Sequence, residues 1–117
     1  MKLSEAIRLG SMMKPQCFGL MHDDGATCAF GAALDAIGKL HECYSEEPQE
    51  WHDTGAFIAE CPQCHDTMRY VDQYKANTLA HLNDTHRWTR EQIADWVSTI
   101  EAQTEQPATE QPVEVRS

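Results

Sequence analysis

The sequence predicts a small, single-domain α+β protein that is mostly helical, and three observations carry that prediction. Apolar residues recur at three- and four-residue intervals in several short segments; an Asp-Gly pair separates two short runs; and a Cys-x-x-Cys turn is followed by two histidines. At 117 residues the chain can enclose one core and is too short for two domains of ordinary size.

The first helix is expected over residues 5–13. Ser4 would be its N-cap, and Ile7, Leu9 or Gly10, and Met13 its stripe, stopping before Lys14-Pro15. Residues 17–28 read as a hairpin, because Asp24-Gly25 suits the positive φ angles of a tight turn. An alanine-rich segment from Cys28 to Ile37 then predicts a short buried helix ended by Gly38, with Cys17 and Cys28 as small buried thiols. Residues 41–55, acidic and interrupted by Pro48 and Gly55, read as a loop anchored by Trp51. Phe57-Ile58-Ala59 is expected to be a strand delivering Cys61. Met68, Val71, Tyr74 or Lys75, Thr78, Leu79 and Leu82 predict a helix that carries His81 and frays near Asn83-Asp84.

The last helix has the clearest local signature. Thr89 and Gln92 form a capping box, Trp88 and Ile93 occupy the positions of a hydrophobic staple, and Ile93, Trp96, Val97 and Ile100 mark one apolar face over residues 90–102. Trp88 and Trp96 are expected to anchor the core, with a partner-binding surface as the alternative. Residues 102–117 repeat Thr-Glu-Gln-Pro and offer little to bury, which predicts a disordered acidic tail after a globular domain over 1–101.

Cys61-Pro62-Gln63-Cys64, His81 and His86 give the spacing C-x2-C-x16-H-x4-H. Two thiolates and two imidazoles supply the four tetrahedral ligands of a structural zinc site, with no position left for a catalytic water. Five residues turn a helix by about 500°, so the two histidines share a face only if the helix ends between them. His65 and His52 are the alternative ligands, and His41-Glu42-Cys43 could join Cys17 or Cys28 in a second site. The segment 57–86 resembles a Cys2His2 zinc finger, although its central spacer is longer and Tyr70 or Tyr74 and Leu79 only loosely mimic the finger's interior residues. The blocks KLSEAIRLGSMMKPQ, CAFGAALDAIG and HLNDTHRWTREQIADWV, surrounding a C-P-x-C, resemble a group of small bacterial and phage proteins. That resemblance implies a compact zinc-bearing domain and carries no particular activity.

Competing chemistries are incomplete. C-x-x-C-H also fits covalent haem attachment, which needs export, and Glu5 and Arg8 interrupt the apolar run that a signal peptide requires. A thioredoxin-type pair lacks its βαβ context, the deaminase pattern lacks its H-x-E, and a His-Asn-His nuclease lacks its upstream histidine. A reducing cytoplasm, of a bacterial host or phage-infected cell, is expected from the odd count of five cysteines and the absence of a leader pattern. No apolar run reaches the length of a membrane span.

The formal charge of −10 repels phosphate backbones, and over residues 1–100 fifteen acids still face eight bases. Arg69, Lys75, Arg87 and Arg90 are the bases a nucleic-acid reading would need. The expected role is therefore a noncatalytic interaction module or small regulator with a protein partner, a nucleic-acid-binding finger being the alternative and a small metal-dependent enzyme or virion accessory protein a further one. Trp88, Trp96, Arg87 and Arg90 are the interaction candidates.

Overall fold

The computed structural model describes residues 1–19, 22–40, 51, 54–66, 70–71, 74–75 and 77–105. Among them the chain forms four helices and two short antiparallel hairpins, a mostly helical α+β fold as the sequence predicts. The elements are α1 (Leu3–Ser11), β1 (His22–Asp23), β2 (Ala26–Thr27), α2 (Ala29–Ala36), β3 (Tyr70–Val71), β4 (Tyr74–Lys75), α3 (Thr78–Asp84) and α4 (Arg90–Glu105).

Helix α1 starts two residues earlier than expected, with Lys2 rather than Ser4 at the N-cap. The Lys2 N–H donates to Glu5 Oε1, while the Ser4 hydroxyl is diverted outward: both it and the Ser4 N–H donate to the buried carboxylate of Glu101. An anion at the N-terminal end of a helix opposes the helix dipole and satisfies donors that have no partner within the helix. Further along, Arg8 reaches Glu91 and Asp95, and Arg90 reaches the Ser11 carbonyl, so α1 and α4 run antiparallel. On its other side α1 lies tightly on α2: a Cβ added to Gly10 would stand 1.8 Å from the Ala32 carbonyl oxygen. Only glycine permits that approach.

The first hairpin forms as predicted, pairing His22 with Thr27 and Asp23 with Ala26 around a turn in which Asp24 and Gly25 have φ of 50° and 85°. Two positive φ angles match the twist of the paired strands. A parallel bridge between Gln16 and Thr27 ties this hairpin to the segment after α1. Cys28 caps α2 by accepting from the Gly31 N–H, and the helix ends in a Schellman arrangement: Gly38 N–H to Asp35 O and Lys39 N–H to Leu34 O, with Gly38 at φ 77°. Cys28 is buried as expected; Cys17 is only partly so.

Two expected elements differ. Residues 57–59 form turns, not a strand, although Phe57 is buried edge-on against Phe30. The long helix expected from Met68 onward is replaced by the β3–β4 hairpin, Tyr70 pairing with Lys75 and Val71 with Tyr74, and α3 begins only at Thr78 under an Asn77 cap. Tyr70, Val71 and Tyr74 favour strands while also satisfying helical spacing, and the cap decides where the helix begins.

One core joins all four helices. Leu3, Ala6 and Ile7 of α1, Ala29, Phe30, Ala33 and Leu34 of α2, Leu79 and Leu82 of α3, and Ile93, Ala94 and Val97 of α4 enclose Trp51 and Phe57. Trp51 is buried, its indole N–H donating to the Met1 carbonyl. Trp88, Trp96 and Ile100 are partly buried against this core. The expected tail boundary moves, since α4 continues through Glu105 past residue 102; residues 106–117, and most of the expected acidic loop, lie outside the described residues.

Candidate metal centre

The Cys-x-x-Cys segment is a closed turn. Cys61 N–H donates to Asp66 O, His65 N–H donates back to Cys61 O, and His65 takes φ 68° to complete the reversal. The buried Cys61 Sγ accepts from the N–H groups of Gln63 and Cys64, both at 3.4 Å. Burial alone would raise the Cys61 thiol, but hydrogen bonds from the Cys64 and Gln63 N–H groups, the Cys64 thiol and the His65 N–H together hold it below its ordinary value. Cys64 is exposed, and its thiol is held above its ordinary value: the Asp66 N–H favours the thiolate, while desolvation and its bond with Cys61 oppose it.

Helix α3 is aimed at this turn by its own N-terminus. Thr78 N–H donates to Phe57 O, and its hydroxyl donates to Ala59 O at 2.6 Å, pinning the first helical residue to the chain just before Cys61. His81 lies one turn further on. The helix ends at Asp84, the chain reverses through Arg87 at φ 59°, and the Thr85 and His86 N–H groups both donate to His81 O. That early end solves the rotational problem posed by the five-residue spacing. The two imidazoles meet edge to face with centroids 4.6 Å apart.

The four candidate ligand atoms, from Cys61, Cys64, His81 and His86, all lie within 4.8 Å of one another. Cys64 Sγ is 3.3 Å from His81 Nε2. Tetrahedral bonds of about 2.0–2.3 Å place ligand atoms roughly 3.5 Å apart, so a small inward movement accommodates an ion. His86 Nε2 is buried with no hydrogen-bond partner. An unpaired buried nitrogen is costly, and a metal bond to it would remove that cost. Desolvation, then the neighbouring His86, lowers the pKa of His81 and favours the neutral imidazole that a metal requires. The arrangement can therefore hold a metal ion.

Of the alternative ligands, His65 does not join it. His65 turns away to Glu60, with Nδ1 2.8 Å from the carboxylate, and is largely exposed. His52, Arg69 and the segment His41-Glu42-Cys43 lie outside the described residues.

Of the interaction candidates, Arg90 is 8% exposed and spent internally. Its guanidinium donates to the carbonyls of Ser11, Lys14, Pro15 and Thr27 and to the Thr27 hydroxyl. Arg87 is exposed and stacks over Phe18 at 4.2 Å. Trp88 donates its indole N–H to Gln63 Oε1 at 2.7 Å, coupling the cysteine turn to the start of α4.

Sequence reasoning missed the supporting network. Asn83 is fully buried and makes four bonds: Oδ1 accepts from Gln16 Nε2 and Ala29 N–H, and Nδ2 donates to Cys17 O and Asp84 Oδ1. It fastens the end of the His81-bearing helix to the Gln16-Cys17 segment after α1 and to the start of α2. Asn77-Thr78 is a cap-like pair that could have been read from sequence; nothing local marks Asn83. No family model, curated protein or solved structure matches the chain, and no described helix is long and apolar enough to cross a membrane.

Proposed function

We propose that the protein is a noncatalytic zinc protein in which one structural Zn²⁺, held by Cys61, Cys64, His81 and His86, fixes the fold of a small protein-interaction module or regulator. The observation that carries this reading is the convergence of those four ligand atoms, with His86 Nε2 buried and otherwise unpaired. Two sulfurs and two imidazoles are a donor set that suits zinc, and four protein ligands exclude an open catalytic position. The two thiolates neutralise the ion, so the net acidity of the surface persists and favours a protein partner over a phosphate backbone. The nucleic-acid alternative is weakened by Arg90, one of the bases it would need, being spent on backbone carbonyls.

Cobalt(II) titration of the metal-free chain tests the ligand set. Intense visible bands of tetrahedral cobalt with sulfur-to-metal charge transfer, abolished by one equivalent of zinc, are the expected result. A weak octahedral spectrum would contradict the assignment.

A further inference from the structure

Helix α1 divides into three faces. Leu3, Ala6, Ile7 and Gly10 are buried in the core and against α2, and Ser4, Arg8 and Ser11 turn toward α4. At 100° per residue Lys2, Glu5 and Leu9 form the remaining stripe, and Met12 and Met13 continue it in the turn that closes the helix. Leu9 is 42% exposed, Met12 83% and Met13 51%. Of the six large hydrophobic residues exposed among the described ones, four stand within residues 1–13, so this is a patch and not scatter.

We infer that this stripe of α1 is the docking surface of the interaction module, and that its occupant is a basic amphipathic helix from a partner protein. The inference rests on the interaction reading above and gives it a location. Leu9 near the end of α1 and Met12 and Met13 in the turn after it lie three and four residues apart and form one exposed apolar surface, and methionine adapts its shape to an incoming apolar face. The charge around the stripe selects the occupant's sign. Glu5 lies within it beside Lys2, which offsets it, and Glu91 and Asp95 of α4, each more than 60% exposed, stand beside α1 with Arg8 as their one shared counter-ion, so carboxylates remain in surplus. A second copy would bring another charge of −10 and another Glu5 against the same surface, whereas a helix with lysines beside its apolar stripe meets complementary carboxylates.

The test uses the full chain and two synthetic helical peptides of about 18 residues, long enough to hold helix on binding, with the same leucine stripe and either lysine or glutamate flanks. Binding is followed by calorimetry, beside metal analysis and sedimentation. The expected result is binding of the lysine peptide, weakened at least about tenfold by the double change Leu9→Lys and Met12→Lys, with unchanged circular dichroism and metal content. The glutamate peptide should bind at least about tenfold more weakly. Equal binding of both peptides, no binding of the lysine peptide, binding that survives the double change, or self-association through this face would each overturn the inference. If the lysine peptide binds as expected to a chain that holds no zinc, the metal assignment fails while the docking surface stands.

Discussion

Two regions of this molecule fix their shape by different means. The assembly of α1, α2 and α4 is regular helix, buried along Leu3, Ile7, Phe30, Ile93 and Val97 and closed by polar clamps at Glu101 and Arg90. The segment from Thr54 to Asp66, with α3 and His86, has little regular structure, and its ends come together at four potential metal ligands. It lends Phe57, Leu79 and Leu82 to the same core, too few apolar side chains to hold its irregular backbone unaided. On the proposed reading a small chain combines a conventional helical core with a metal-fixed segment, and because the core is shared, failure of the second region should reach the first.

Removing the metal should produce the largest effect. Structural zinc contributes on the order of 10 kcal/mol in finger peptides, as much as a domain of this size has to lose. Chelation should thus abolish the helical signal in one transition; helices that persist while Cys61 and Cys64 become reactive would show the two regions to be independent. Gly10→Ala attacks the other region, where the new Cβ meets backbone that cannot swing aside. A loss of about 3 kcal/mol or more in denaturant unfolding is expected, with metal affinity retained in the fraction that folds.

Arg90→Met should cost about 2–4 kcal/mol, since carbonyls near Ser11, Lys14 and Thr27 lose a charged donor. Lysine should not rescue it, because one ammonium cannot reproduce the planar fork. Glu101→Gln tests the smaller clamp, with an expected loss of about 1 kcal/mol as the α1 N-terminus gives up its anion.

The smallest effect concerns pH. Burial pushes the Cys28 thiol up to about 11, so between the ordinary thiol range and that value the unfolded chain gives up a proton that the folded chain keeps. Stability should fall as pH rises through this window. Cys28→Ser, which keeps the cap on Gly31 N–H without an ionising thiol, should flatten that slope.

The same contrast describes what was legible in the sequence. In the helical region, Asp24-Gly25, Gly38, Thr89 and Gln92 announce their turn, stop and cap through local chemistry, and each performs that role. The candidate ligands were legible because metal chemistry restricts residue type and spacing. Between them, however, Tyr70, Val71 and Tyr74 satisfy helix and strand patterns alike, and the hairpin they form was hidden by that ambiguity. Ser4 and Arg90 misled for another reason: a cap-like serine and a surface-type arginine are both taken by partners far away in sequence. The network of Asn83 gives no local sign, because three of its four partners, Gln16, Cys17 and Ala29, lie more than fifty residues away along the chain.

Metal stoichiometry tests the central claim most directly. Elemental analysis of untagged protein, purified without added metal, should find one zinc per chain, and His86→Ala, which removes the buried unpaired Nε2, should lose that zinc together with thermal stability. Protein free of zinc that folds normally, or a His86→Ala variant that keeps its zinc and its melting temperature, would contradict the account.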